Sequence, residues 1–69
     1  MRMRVDAAAD AVYLDLIPAE IESSEEVSPG IILDYDASGN LVGIEILDAS
    51  RKAGAGNIFQ SVNVDMQAA

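Results

Sequence analysis

The sequence contains no cysteine, no histidine and no tryptophan. Without thiols or imidazoles, disulfide staples, thiolate zinc sites and the usual Cys–His or Ser–His nucleophile pairs are excluded. Any bound cation would have to rely on oxygen ligands. Aromatic side chains are scarce: Phe59, Tyr13 and Tyr35 are the only rings, so platforms for stacking bases are poorly supplied. Positive charge is scarce as well, with four Lys and Arg against 12 Asp and Glu and a net charge of −8. The four cations fall in two pairs, Arg2 with Arg4 and Arg51 with Lys52. Such a chain repels a phosphate backbone, so nucleic acid is not an expected partner. No apolar run approaches the roughly 20 residues that span a bilayer, which argues against a membrane partner. Asp6 and Asp10 interrupt the region after Arg4 where a signal peptide needs an apolar stretch. A cytoplasmic location is expected, and the absence of cysteine agrees with it.

At 69 residues there is room for one domain, and chains of this size bury only about 60% of the surface they expose when unfolded. A core that small supplies only about 3–5 kcal/mol, so small domains lean on a disulfide, a metal or a partner chain. With the first unavailable and no cofactor implied by any motif, a homo-oligomer is the expected form.

Hydrophobic periodicity points to a mainly β (or small α+β) fold: an antiparallel β meander of four to five strands with a short C-terminal helix. Residues 1–52 read as a single small β domain and 53–69 as a C-terminal extension. Arg2–Val5 alternates, placing Met3 and Val5 on one face. Asp6–Asp10 suits a single turn capped by Asp6. For the segment from Ala11 to Ile17 a helix competes with a strand, and the strand is preferred because it gathers Val12, Leu14 and Leu16 on one face. Pro18 ends it. Glu20–Val27 is acidic and reads as an edge strand, its charges discouraging stray pairing. After Pro29-Gly30, Ile31–Asp36 and Leu41–Leu47 form a hairpin around Ala37-Ser38-Gly39-Asn40. Parity fixes its register, because Ile31, Leu33 and Tyr35 share a face with Val42, Ile44 and Ile46 only if Leu33 opposes Ile44. Asp34, Gly43 and Glu45 then lie on the other face with Ile32 and Leu47, and that half-apolar surface suggests cover by a terminal segment or another subunit. Asp48-Ala49-Ser50-Arg51-Lys52 looks like the capped start of a short helix stopped by Gly54 and Gly56. Beyond it, Asn57–Ala69 fits a strand through Val62, Val64 and Met66 or a helical face through Phe59, Val62 and Met66. Gln67-Ala68-Ala69 has nothing to bury and is expected to fray.

The sharpest motif is Asp34, Asp36, Ser38, Gly39 and Glu45, at positions 1, 3, 5, 6 and 12 of a calcium-binding EF-hand loop. Its flanks are strand-like where an EF-hand needs helices, so Asp36 and Gly39 are expected to serve the turn, with divalent-cation binding at Asp34, Asp36, Ser38 and Glu45 as an alternative. The same carboxylates could form an acid and base pair only inside a cleft that nothing in the sequence supplies. Ser23 and Ser24 read as polar edge residues. Gly54-Ala55-Gly56 lacks the strand and lysine of a phosphate loop. No catalytic, cofactor-binding or metal residue is assigned, and enzyme is the least supported class.

From Glu25 to Ser50 the string EEVSPGIILDYDASGNLVGIEILDAS resembles a widespread prokaryotic family of short proteins, domain of unknown function 2283. VDAAADAVYLDL, from Val5, is similar to the opening of that family, in which Ala-Asp-Ala precedes a Tyr-containing strand. The resemblance covers about residues 1–52. It implies no activity and no catalytic residues. Because some relatives are encoded beside small toxin-like proteins, it implies an antitoxin-like inhibitor of a small basic protein as an alternative, a role that acidic charge would suit. The leading expectation is an oligomeric protein-interaction module without catalytic activity.

Overall fold

A computed structural model describes residues 1–68. Five strands and one short helix follow in the order β1 (Arg2–Asp6), β2 (Ala11–Asp15), β3 (Ser23–Ser28), β4 (Ile31–Tyr35), β5 (Leu41–Ile46) and α1 (Ala49–Ala53). The strands form a single antiparallel sheet in the spatial order β1-β2-β5-β4-β3. The mainly β, antiparallel architecture with a C-terminal helix is thus the one the periodicity indicates. Its strand order shows two short meanders, β1-β2 and β3-β4-β5, docked through β2 and β5. The connection containing Pro18 carries the chain from β2 past β5 and β4 to the far edge. Its ends are tied to the strands it passes, with the Leu16 N–H donating to the Val42 carbonyl at 2.8 Å and the Glu22 N–H to the Tyr35 carbonyl at 2.8 Å.

The strand chosen over the helix for Ala11–Asp15 is present, paired with β1 through Met3↔Leu14 and Val5↔Val12. The hairpin register also follows parity, with Leu33 opposite Ile44 and Asp34 opposite Gly43. At the loop end the regular register breaks: Tyr35 opposes Leu41, leaving Val42 as the extra residue of a bulge. That bulge turns Val42 inward until it is buried. Parity counting assumes one residue against one and has no signal for an inserted residue. Gly39, with φ 80°, provides the left-handed position of the loop. The Asp36 carboxylate accepts from the Ser38 and Asn40 amides at 2.9 Å each, so Asp36 serves the turn as expected. Asp6 likewise accepts from the Ala9 amide at 3.0 Å and closes the turn between β1 and β2.

The helix starts at Ala49 and stops at Gly54, but its N-terminal cap is supplied from elsewhere. Asp48 makes no side-chain capping bond. Asp10, 40 residues earlier, accepts from the Ser50 amide at 3.0 Å and from Ser50 Oγ at 2.7 Å, and its own carbonyl accepts from the Ala49 amide at 2.9 Å. A local capping pattern misses a cap contributed by a tertiary contact. Beyond the helix, neither reading of Asn57–Ala69 is realised among the described residues: 56–60 form turns, 61–68 belong to no helix or strand, and Ala69 lies outside the described residues.

The core that results is thin. Ala11, Val42 and Ala49 are the buried apolar residues, and no large side chain is fully buried among the described residues. The protein exposes 5178 Å², whereas a compact monomer of its mass exposes about 4,200 Å². Its radius of gyration is 13.2 Å, against about 11 Å for a compact chain of this length.

Candidate functional site

Antiparallel pairing puts directly opposed residues on one side of a sheet, so the registers sort every strand residue onto one of two faces. One face carries two continuous apolar rows. The first runs Val5, Val12, Ile46 and Ile31, and the second Met3, Leu14, Ile44 and Leu33. Toward the β1 edge the cover fails, leaving Met3 41% and Val5 40% exposed. The centre of this face is half-buried, and α1 is a single short turn of helix held to the turn between β1 and β2 by Asp10.

The opposite face is polar. Its rows run Arg2, Asp15, Gly43, Asp34 and Ser24, then Arg4, Tyr13, Glu45, Ile32 and Glu26. Arg4 stacks over the Tyr13 ring at 4.8 Å and pairs with Asp15 at 3.1 Å. Both partners are substantially exposed, so this pair adds only modestly to stability. At the centre lies Asp34, 3% exposed, accepting a 2.6 Å bond from Ser24 Oγ. Gly43 makes this burial possible: with no side chain, it leaves room above β5 for the Asp34 carboxyl, whose Oδ2 would lie 3.1 Å from a Cβ there. Glu45, on the next strand and the same face, has its pKa raised, first by the hydrogen bond it shares with Asp34, then by burial and by the negative charge of Asp34, with Arg4 opposing. The proximity of Asp34 thus favours the protonated form of Glu45. Asp36 has its pKa lowered by the amide and side-chain bonds from Asn40.

The structure splits the EF-like pattern, keeping Asp34 beside Glu45 and sending Asp36 and Ser38 to the turn. Asp36 and Ser38 belong to the turn, Asp34 is buried under the polar face and tied to Ser24, and Glu45 sits further along β5 beside Asp34. No group of three or more acidic residues is gathered in a way that could hold a metal ion among the described residues. The Ser24 contact was legible only as edge polarity in the sequence. Arg4 with Tyr13 and Asp15 carried a usable signal, because β1 and β2 form a tight hairpin in which even positions of one face odd positions of the other.

One cavity of about 480 Å³ opens beside the connection from β2 to β3, with Met1, Ile17, Pro18, Ile21 and Val42 among its lining residues and Arg2 and Asp15 contributing charge. Asp34 and Glu45 do not line it. No helix among the described residues is long and apolar enough to cross a membrane.

Neither a curated protein nor a solved structure matches the chain. A family model described as a protein of unknown function (DUF2283) matches residues 2–50, all five strands and the first residues of α1. The chain belongs to the DUF2283 family.

Proposed function

We infer that the protein is a non-catalytic interaction module that works as a homo-oligomer in the cytoplasm, with the apolar face of its sheet as the contact surface. The observation that carries this reading is the pair of aliphatic rows, one through Val12 and Ile46 and one through Leu14 and Ile44, half-buried at the centre and exposed at Met3 and Val5. A sheet gains stability by burying one face against another element, at roughly 25 cal/mol per Å² of apolar surface removed from water. Two copies stacked through these rows supply for each other the layer that α1 is too short to provide. The excess of exposed surface over that of a compact monomer points the same way. The absence of cysteine fits a reducing compartment.

Sedimentation of the purified chain across micromolar concentrations tests this. An oligomer is expected, with Ile44→Lys, at the centre of the second row, shifting it toward monomer. A wild-type chain that sediments as a monomer throughout removes the reading.

A further inference from the structure

The two edges of the sheet are unlike each other. The β3 edge carries Glu25 and Glu26, follows Glu20 and Glu22, and is broken by a bulge at Val27, since the register jumps between Glu26 and Ser28. Those are the features by which an edge strand resists pairing with another chain. The β1 edge is charged too, at Arg2, Arg4 and Asp6, but it has no bulge and its arginines are opposite in sign to the β3 glutamates. It pairs with β2 in unbroken register from Arg2 to Asp6. Its Arg4 is drawn inward onto Tyr13 and Asp15, leaving an outer row of backbone groups with no strand beside it in the sheet.

The same chain carries a segment suited to that edge. Ser61-Val62-Asn63-Val64-Asp65-Met66 alternates polar and apolar at the period of a strand, yet it belongs to no helix or strand and pairs with none. Its apolar residues are exposed, Val62 at 49%, Val64 at 69% and Met66 at 91%. We propose that Ser61–Met66 of one copy adds as a sixth, antiparallel strand to the β1 edge of a second copy, in a reciprocal exchange within the homo-oligomer. This rests on the self-association proposed above and names the segment that completes it.

Charge and pattern select both edge and register. The segment carries Asp65 and would meet a row of glutamates at β3, but arginines at β1. Arg4 already has its carboxylate, whereas Arg2 makes no ion pair among the described residues, so Asp65 belongs opposite Arg2. That register sets Val64 opposite Met3 and Val62 opposite Val5, extending both aliphatic rows where they are least covered. Asn63 then faces Arg4 on the polar side. The area argues for exchange between copies. Five strands spaced about 4.8 Å apart and some five residues long present roughly 400 Å² of projected face, short of the roughly 800 Å² per partner in a standard interface. An exchanged strand on each copy makes up much of the difference and closes two open edges at once. Gly54–Gln60 reaches about 23 Å when extended, enough to cross the roughly 10 Å between stacked sheets. A two-fold arrangement closes on itself and does not propagate into a filament.

The lack of native cysteine makes the test direct. Single-cysteine chains Met3→Cys and Val64→Cys are mixed and oxidised, with Glu25→Cys and Val64→Cys as the pair for the other edge. A disulfide joining position 3 of one chain to position 64 of the other is expected, several-fold more abundant than the link to position 25. Val64→Pro, which removes an amide from the exchanged strand, is expected to weaken the wild-type association by about tenfold or more. Equal linking at both edges or no linking overturns the exchange, as does a chain carrying both Met3→Cys and Val64→Cys that closes only internal disulfides. If the chain still sediments as an oligomer in that case, the apolar-face reading survives alone. A monomeric wild type sinks both.

Discussion

Replacing Gly43 by alanine isolates the most constrained contact in the sheet. A Cβ at this position would lie 3.1 Å from Asp34 Oδ2, with Asp34 Cβ at 3.5 Å and the Leu14 carbonyl at 3.4 Å. Only the first of these is tighter than ordinary contact, so the Asp34 carboxyl must shift by a few tenths of an ångström. It has little freedom to do so, being 3% exposed and held by Ser24 at 2.6 Å. Disturbing a hydrogen bond to a buried polar group costs about 1–3 kcal/mol. Removing a glycine from a strand interior returns about 0.5–1 kcal/mol. Gly43→Ala is therefore expected to destabilise by about 1–2 kcal/mol. In an Asp34→Ala background the obstructing oxygen is gone, and the same substitution becomes neutral or stabilising by up to about 1 kcal/mol. Urea unfolding of the four chains at one protein concentration measures this coupling through the midpoints, given an unchanged slope. Fixed concentration matters because self-association shifts apparent stability. An equal cost in both backgrounds would falsify the argument and place the strain on the Leu14 carbonyl.

Two further expectations concern groups away from that contact. Asp10→Ala removes the bonds that seat α1 and places alanine at a φ of 54°, so a loss of about 2 kcal/mol is expected. Amide exchange at Ser50–Lys52 should accelerate, whereas Asp48→Gly, which deletes no capping bond and relieves a φ of 52°, should leave it unchanged or slower; the reverse ranking would return the cap to Asp48. For Glu45 the folded pKa lies above the ordinary 4.5, so the folded state binds its proton more tightly than the unfolded state. Its ionisation thus weakens the fold as pH rises from about 4.5 through the folded pKa. Glu45→Gln should be more stable than wild type at pH 7 and show a flatter profile across that window. A variant with the wild-type slope would mean the proton is not held at Glu45.

The sheet was largely legible because its strands obey a period of two and its turns are marked by Pro29-Gly30 and Gly39. Parity alone placed Leu33 against Ile44 and put Asp34, Gly43 and Glu45 together on the other face. What escaped depends on departures from regular pairing or on distant contacts. The bulge at Val42 inserts a residue that no pattern marks. The partnership of Asp10 with Ser50 joins residues that become neighbours only when α1 lies against the turn between β1 and β2. Burial of Asp34 needed the neighbouring β3, whose Ser24 reads in isolation as ordinary edge polarity. The carboxylates of the EF-like pattern illustrate the same limit: spacing along the chain brought them together on paper, and strand geometry sends them to a turn, a buried centre and a neighbouring strand.

The two faces differ in what it would cost to cover them, and that difference decides which one can meet a partner. Covering the polar face would take Arg4, Asp15 and Glu45 out of water, and the ion pair between the first two is worth little to begin with. Desolvating charged groups costs several kcal/mol each unless every remaining bond is satisfied. Glu45 already carries a penalty from Asp34, so a layer placed over it deepens that penalty and drives the carboxyl toward its neutral form. Covering the aliphatic rows removes Met3, Val5, Leu14, Ile44 and their apolar neighbours from water, which is favourable from β1 to β4 and meets a charge only at Glu25 on the β3 edge. A sheet with one face of each kind can stack once and no further. If the proposed association forms, the polar face around Asp34 and Glu45 would confine it to a closed pair.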